Sequence, residues 1–233
     1  MTADRPVRTV SFDLDGTLVH GSMGLVLKEV ASSLSDGDTD AATELYRELM
    51  SAHEALLAAA DPLPAYDWDA LVEASAQARG RHTPVDLATR AGELARQGGA
   101  RLVNGASAAA LTRLRSAGWR VIVLTNGWVR FQRPVLEAVG LWDAFDDVLT
   151  SDGIGHAKPA REAFLAARGD AGLYVHVGDR YDHDIEGAAA VGATTVLLRA
   201  TAPTAAEDAE RRPDFAATTL DEVVGFLEGL PLT

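Results

Sequence analysis

The sequence predicts an α/β protein built on a parallel β-sheet with helices on both faces, with a block of helices inserted after the first strand. Apolar, β-branched segments alternate along the chain with longer helical segments, which is typical of parallel sheets. Several helical segments stop at a glycine, as many helices do. Residues 19–102 break the alternation because they contain no convincing strand.

The predicted strands are rich in apolar and β-branched residues and end at turn residues. They cover residues 7–14, 120–124, 147–149, 174–177 and 194–198, with a last short strand near Phe215. Helices are predicted over residues 106–117, 128–139, 185–191 and 221–228. Residues 200–209 have low complexity and predict a loop.

Residues 19–102 are dominated by Ala, Leu, Glu and Arg, and they predict an all-helical insertion of roughly three to five helices. Helical spacing occurs in two sets of residues: Leu45, Leu49 and Leu56, and then Leu71, Ala74 and Ala78. The predicted division is a core domain of residues 1–18 and 103–233 and a helical domain of residues 19–102. The alternative is that these helices form part of the main core.

The composition of the 233-residue chain narrows its class of function. A formal net charge of −13 argues against a nucleic-acid partner, which requires a basic face. No apolar run approaches the roughly 20 residues of a membrane helix, and there is no cysteine for disulfides or thiolate metal sites. Because the start of the chain lacks a signal-peptide pattern, we expect a cytoplasmic location.

Asp13 and Asp15 lie where the first predicted strand ends. Residues at i and i+2 of a strand point to the same side, so the two carboxylates could converge on one ion or phosphate. Gly16 lets the chain turn sharply enough to present backbone N–H groups to an anion. An ordinary strand-to-loop turn is the alternative, because Asp and Gly are common there.

Two further motifs carry groups that suit a phosphate. Thr125 and Asn126 follow a predicted strand with a hydroxyl and an amide, although an ordinary helix N-cap is the alternative. Lys158 is one of only two lysines, with Lys28, and with Pro159 it is predicted to open a helix. A cation in the first turn of a helix is unfavourable, because the helix dipole favours anions there, so this position makes sense if Lys158 faces an anion. An exposed lysine is the competing interpretation.

Asp179 and Asp184 follow another predicted strand, on a loop. Their carboxylates are hard ligands that suit Mg²⁺ better than zinc. Asp182 and His183 are predicted to be solvated loop residues, because no second histidine stands at metal-ligand spacing. All four motifs lie at the carboxyl ends of predicted strands, where open α/β sheets bind ligands.

These motifs, in this order, resemble those of the haloacid dehalogenase superfamily of phosphohydrolases. The resemblance rests on FDLDGTL, VLTNG, GHAKP, VGDRYDHDIEGA and the closing PDFAATTLDEVVGFL. It implies a Rossmann-like core with a helical cap, similar to the subclass of phosphoglycolate phosphatases, small nucleotidases, β-phosphoglucomutase and haloacid dehalogenases. His20 and Arg180 depart from the residues common at these positions in relatives, which leaves the fit of the substrate open.

Carried over by position, the resemblance implies Mg²⁺-dependent hydrolysis of a phosphomonoester through an aspartyl-phosphate on Asp13. Asp15 would act first as the general acid and then as the base. Thr125 and Lys158 would bind the transferring phosphoryl group.

The Mg²⁺ site implied by the resemblance consists of Asp13, the backbone carbonyl of Asp15, and Asp179, with Asp184 ordering the surroundings of the metal. We further expect the side chains of Asp13, Asp15 and Asp179 to surround one divalent ion, with Lys158 facing it.

The expected substrate is a small phosphorylated metabolite, such as phosphoglycolate, a nucleoside monophosphate, a sugar phosphate or flavin mononucleotide. His20, Tyr66, Trp68 and Arg130 are candidate contacts, although packing or surface roles are favoured. A phosphomutase and a haloacid dehalogenase are alternatives, the second disfavoured by the presence of Asp15. A binding or regulatory protein is the alternative outside enzymes. We expect no nucleic-acid or membrane partner, and a monomer or weak homodimer.

Overall fold

The computed structural model describes residues 7–201 and 213–231. Contacts divide the chain into two compact units, the first comprising Met1–His20, Leu102–Thr125 and Gly140–Thr233, and the second Gly21–Arg101 and Asn126–Val139. Within the described residues, no helix combines the length and the apolar character needed to cross a membrane. Most of the predicted low-complexity loop, from residue 202 onward, lies outside the described residues.

A parallel sheet of six strands lies at the centre of the first unit. Its strands are β1 (Arg8–Phe12), β4 (Trp119–Thr125), β5 (Asp147–Thr150), β6 (Leu173–Gly178), β7 (Thr194–Leu198) and β8 (Phe215–Ala217). They are arranged in the order β5-β4-β1-β6-β7-β8. A separate two-stranded sheet pairs β2 (Val19–His20) with β3 (Arg101–Leu102).

The helices of the described residues fall into both units. They are α1 (Met23–Leu34), α2 (Thr39–Leu57), α3 (Trp68–Gln77), α4 (Leu87–Leu94), α5 (Ala108–Ser116), α6 (Val129–Ala138), α7 (Ser151–Ile154), α8 (Arg161–Arg168), α9 (Glu186–Ala189) and α10 (Leu220–Gly229). Short 3₁₀ turns occur at Leu63–Tyr66 and Trp142–Ala144, and π-helical turns at Ala95–Gly99 and Tyr181–Ile185.

The predicted α/β class with a parallel sheet is confirmed. The central strands are buried along most of their length, so even the polar residues of β1 and β6, among them Thr9, Ser11 and His176, lie inside the protein. β1 lies between β4 and β6, with Ser11 opposite Ile122 on one side and His176 on the other. The carboxyl ends of these three strands therefore meet at one edge of the sheet.

Two sequence predictions near the site are wrong. The helix predicted over residues 185–191 is present as α9, but the π-helical turn Tyr181–Ile185 precedes it, so Asp184 lies in a helical turn and not on the predicted loop. The helix predicted to open at Lys158 begins at Arg161. Proline disfavours helical conformation in the residue before it, which keeps Lys158 out of the helix.

Aspartates begin three helices of the second unit. The side chains of Asp38, Asp67 and Asp86 accept hydrogen bonds from backbone N–H groups in the first turns of α2, α3 and α4. Such caps satisfy donors that have no partner within the helix.

The apolar faces of these helices were predicted with mixed success. Leu45 and Leu49 are buried in α2 as their spacing indicates. In α3 the buried residues are Val72 and Ala76, so the face predicted from Leu71, Ala74 and Ala78 is wrong. Alanine packs on either side of a helix, which makes it a weak guide to the buried face.

The helix α6 groups with the second unit, although the sequence-based division leaves it in the core domain. It packs on α4 at a glycine, because a Cβ on Gly92 would lie only 2.7 Å from the Cβ of Pro134. The predicted domain boundaries at residues 18 and 103 stay a prediction.

Thr9 gives a test of packing inside the sheet. It is fully buried in β1, and its hydroxyl has no hydrogen-bond partner in the described part of the chain. A buried, unsatisfied polar group costs about 1–3 kcal/mol, and valine keeps the branched shape without the hydroxyl. We expect Thr9→Val to raise the free energy of unfolding by about 1 kcal/mol, measured by chemical denaturation. A lower stability would show that the hydroxyl has a partner.

Candidate active site

The loop after β1 places Asp13 at the carboxyl edge of the sheet. The Asp13 backbone N–H donates to the carbonyl of Val177 in β6 at 2.8 Å, which continues the pairing beyond the strand. Gly16 has a φ of +92°, and a Cβ there would lie 2.6 Å from Oδ2 of Asp179. Both its backbone conformation and the close approach of Asp179 therefore require glycine at this position.

Thr17 links two of the carboxylates. Its buried hydroxyl lies 3.2 Å from Oδ2 of Asp13 and 3.3 Å from Oδ1 of Asp179, so it can donate its one proton to either. Sequence reasoning gave Thr17 no role. The only available signal was its place in the DLDGT motif.

The chain on either side of the helical insertion is held together inside the first unit. The side-chain amide of Asn104 donates to the carbonyls of Gly16 and Thr17 at 3.0 and 2.9 Å. The Val103 N–H donates to the carbonyl of Leu18 at 3.0 Å. Asn104 has a φ of 52°, a left-handed conformation that asparagine tolerates better than most residues.

Three carboxylates converge at this edge of the sheet. Asp13, Asp179 and Asp184 each offer an oxygen, and these oxygens lie within 4.8 Å of one another. They come from the loop after β1 and from the segment after β6, which adjoin because β1 and β6 are neighbours. An all-oxygen set of this size suits a hard divalent cation.

Lys158 lies among these carboxylates. Its ammonium is 2.6 Å from Oδ1 of Asp13 and 2.6 Å from Oδ1 of Asp184, and only 3% of its side chain is exposed. Burial opposes the charged ammonium, but Asp13 and Asp184 outweigh it and raise the pKa of Lys158. The predicted position of Lys158 in a helix is wrong, but its prediction as a cation that faces an anion matches these contacts.

Asp184 is the most enclosed carboxylate of the group. Besides Lys158, it accepts from Nε2 of His176 at 3.2 Å and from the backbone N–H of Arg180 at 3.0 Å. A Cβ on Gly178 would lie 2.3 Å from its carboxyl carbon, so the strand end must be glycine. Burial would raise the pKa of Asp184, but Lys158 and His176 hold it below its usual range. Sequence reasoning missed His176, because it lies inside a predicted strand and not in one of the motifs at the strand ends.

Asp179 has the opposite electrostatic environment. Burial, together with the negative charges of Asp13 and Asp184, raises its pKa to about 7. The three carboxylates and the single Lys158 ammonium together carry an excess of negative charge at this edge of the sheet. The residues present therefore fit a bound cation, which would relieve this repulsion.

The other predicted site residues have varied positions. Thr125 is buried at the end of β4, whereas Asp15 is exposed. The carboxylate of Asp15 is not a member of the three-carboxylate group, so its side chain as a metal ligand gains no support. The role of its backbone carbonyl stays a prediction. Asn126 belongs to the second unit, where its amide donates to the hydroxyl of Tyr66 at 2.8 Å.

Two of the residues considered as substrate contacts, Trp68 and Arg130, have packing or ion-pair partners. Trp68 stacks on His53 with ring centroids 4.6 Å apart. Arg130 forms an ion pair with Asp69 at 2.5 Å. His20 is exposed at the end of β2.

Asp182 and His183 lie in the π-helical turn Tyr181–Ile185, so their predicted position on a loop is wrong. Arg180 forms an ion pair with Asp182 at 2.8 Å. Asp182 is exposed and His183 is half-buried, so the prediction of solvation suits the first better than the second.

The family model of haloacid dehalogenase-like hydrolases matches residues 7–192, most of the chain. The chain belongs to this family. A ribulose-1,5-bisphosphate 5-phosphatase of Halopiger xanaduensis is 41% identical over 112 residues, which are 46% of this chain and 46% of that protein. A phosphoglycolate phosphatase of Yersinia pseudotuberculosis is 28% identical over 213 residues, covering 85% of this chain and 83% of that protein. The chain spans about half the length of the first curated relatives it matches.

Solved structures share the fold of this haloacid dehalogenase-like chain. A HAD phosphatase from Thermococcus onnurineus superposes with a TM-score of 0.75 at 24% identity, covering 96% of this chain and 99% of that one. A 2-haloacid dehalogenase from Pseudomonas syringae pv. Tomato DC3000 has a TM-score of 0.66 at 26% identity, covering 95% and 98%. Because phosphatases and dehalogenases share the fold, the fold alone does not choose the reaction.

The raised pKa of Asp179 predicts a pH dependence of stability in the metal-free protein. Unfolding returns the carboxyl from a pKa of about 7 to the ordinary aspartate value of about 4. Between these two pKa values Asp179 is protonated in the folded state and ionised in the unfolded state. The stability that this proton contributes is therefore lost as pH rises from about 4 to about 7. We expect metal-free Asp179→Asn to gain stability relative to wild type as pH rises through this range.

This gain is measured as the difference in Tm between the two proteins, in chelator, at a series of pH values. A difference that stays constant from pH ~4 to pH ~8 would contradict the raised pKa.

Proposed function

We propose that this chain is a Mg²⁺-dependent phosphatase that hydrolyses a small phosphomonoester through an aspartyl-phosphate on Asp13. One observation carries the proposal: Asp13 has an oxygen 2.6 Å from the Lys158 ammonium and lies in the carboxylate group with Asp179 and Asp184. A carboxylate attacks a phosphate only when nearby positive charge offsets the repulsion between the two anions.

Asp13 and Asp179, with the backbone carbonyl of Asp15, would hold the Mg²⁺. When bound, the ion supplies positive charge that offsets the charge on the phosphoryl oxygens. Asp184, which accepts hydrogen bonds from Lys158, His176 and Arg180, would fix the surroundings of the site. The all-oxygen donor set favours Mg²⁺ over zinc.

The residues of the chain would divide the reaction into two steps. An oxygen of Asp13 attacks phosphorus, a new P–O bond forms, and the bond to the leaving oxygen breaks. Asp15, in its protonated form, gives its proton to that leaving oxygen. Asp15 then takes a proton from water as the water attacks the aspartyl-phosphate, which releases inorganic phosphate and regenerates Asp13.

Lys158 and Thr125 would hold the transferring phosphoryl group during both steps. The Lys158 ammonium already contacts Asp13, so it lies beside the atom that would be phosphorylated. Most of the catalysis of phosphoryl transfer comes from positioning and charge stabilisation, which are the contributions that such a cation makes.

A small phosphorylated sugar or hydroxy acid is the proposed substrate class. The relatives named ribulose-1,5-bisphosphate 5-phosphatase and phosphoglycolate phosphatase support this class. We propose that the helical second unit acts as the cap that selects among such substrates. A screen of phosphorylated metabolites, scored by released phosphate, identifies the preferred member.

A phosphomutase and a dehalogenase remain the competing reactions. Asp15 favours phosphate chemistry, because a dehalogenase forms its ester on the aspartate without a leaving oxygen to protonate. Release of phosphate to water, with no transfer to a second sugar hydroxyl, separates hydrolysis from the mutase reaction. Release of halide from a 2-haloacid would favour the dehalogenase.

The nucleophile is tested by Asp13→Asn. With Mg²⁺ and an aryl phosphate, we expect kcat to fall by about a thousandfold or more, because the amide cannot attack phosphorus. Asp182→Asn is the matched control, since Asp182 is an exposed acid that pairs only with its neighbours Arg180 and His183 among the described ion pairs. Equal loss in both variants would contradict the assignment, and absence of hydrolysis by wild type on all phosphates would favour a binding protein.

The metal is tested by chelation and titration. We expect chelator to abolish hydrolysis and Mg²⁺ to restore it. Asp179→Asn should raise the Mg²⁺ concentration for half-maximal activity by about tenfold or more, because a charged ligand is lost. Mg²⁺ should also raise the Tm of wild type more than that of Asp179→Asn. Activity that survives exhaustive chelation would overturn the Mg²⁺ assignment.

A further inference from the structure

A row of polar side chains runs through the interior of the sheet. Ser11 of β1 and Tyr174 and His176 of β6 are all buried, although the surrounding residues are apolar. Ser11 and His176 are register partners, and Tyr174 lies two residues before His176 on the same face. Buried polar groups destabilise a fold unless they are hydrogen-bonded, so their presence here needs a reason.

The row is continuous and ends at the candidate active site. The Tyr174 hydroxyl lies 2.8 Å from the Ser11 hydroxyl, which lies 2.7 Å from Nδ1 of His176. Nε2 of His176 lies 3.2 Å from Oδ1 of Asp184. The same Asp184 oxygen is 2.6 Å from the Lys158 ammonium.

Only one direction of donation satisfies every group in this row. Asp184 is ionised beside Lys158 and can only accept, so Nε2 of His176 donates to it. Burial lowers the pKa of His176, so the ring is neutral and its Nδ1 accepts from Ser11. The Ser11 oxygen then accepts from Tyr174, whose pKa is raised by burial and which keeps its proton.

The ring of His176 is also fixed by packing. Phe164 of α8 contacts it edge to face with ring centroids 5.1 Å apart. Because Ser11 of β1 and Phe164 of α8 both contact this ring, its Nε2–H has a defined direction towards Asp184.

We propose that Ser11, Tyr174 and His176 are positioning residues that fix Asp184, and through it the Lys158 ammonium, for attack by Asp13. The proposal rests on the proposed phosphatase function. Ser11 locks the ring of His176 in the Nε2–H form, and Nε2–H holds the carboxylate oxygen that Lys158 shares. Lys158 is then held beside Asp13 by a carboxylate whose hydrogen bonds lead back to β6 and β1.

The test uses two replacements of His176 that each keep half of its hydrogen bonding. In His176→Gln the amide nitrogen stands close to the place of Nε2 and keeps the donor to Asp184. In His176→Asn the shorter amide keeps a group near Ser11 and loses that donor. Thr9→Val is the control, because it alters a buried hydroxyl of β1 outside the row.

We expect His176→Asn to lower kcat and kcat/KM for an aryl phosphate together, by about 10- to 100-fold, because the lost interaction acts on the transition state through Lys158. His176→Gln should recover most of that loss, and Thr9→Val should change neither constant. If both His176 variants lose Tm alike while kcat per folded molecule stays at the wild-type value, His176 is merely structural and the proposal is wrong.

A second measurement does not depend on activity. In ¹⁵N-labelled protein, the long-range nitrogen–proton NMR correlations that are absent from His176→Gln belong to His176, and they should show its ring in the Nε2–H form. A His176 ring protonated at Nδ1 would overturn the proposal even if the enzyme is active. The expected ring form, together with a wild type inactive on every phosphate, would support the hydrogen-bonded row but remove the proposed function.

Discussion

The site depends on a single buried cation shared by two carboxylates. The ammonium of Lys158 contacts Asp13 and Asp184, each at 2.6 Å, in a place almost closed to water. A charge in such a place is tolerated only when it is paired and hydrogen-bonded, and loss of one partner leaves the other buried and unpaired. Gly16 leaves room for the carboxylate of Asp179, and Gly178 leaves room for that of Asp184. The contacts of Lys158 therefore depend together on the two glycines, on the strand register and on the turn that contains Lys158.

Much of this arrangement could be predicted because parallel strands bring distant residues to one edge. Asp13, Thr125 and Asp179 each directly follow or end a strand, and β4, β1 and β6 are adjacent in the sheet. The sequence shows each strand end, and the geometry of a parallel sheet brings these ends together. Family membership and the parallel sheet were predictable on this basis, and the carboxylate group follows from the order of the strands.

Other features could not be predicted because they depend on contacts across the sheet. His176 faces Ser11 only through the register of β1 and β6, which an apolar strand pattern does not specify. The exposure of Asp15 depends on how the loop turns after Asp13. The buried face of α3 depends on its neighbours, since its alanines fit either side. The helix start at Lys158 could not be predicted from Pro159, because proline is common both in the first turn of a helix and in the bend before one.

The three hydrogen bonds that Asn104 and Val103 make to Gly16, Thr17 and Leu18 have a consequence for the history of the chain. They join the departure and return points of the inserted segment inside the first unit, so both ends of that segment are held by contacts that lie outside it. Lengthening a segment whose ends are already fixed adds only a slowly growing entropic term. Descendants of such a gene can therefore exchange, shorten or enlarge the helical segment while they inherit the same catalytic edge.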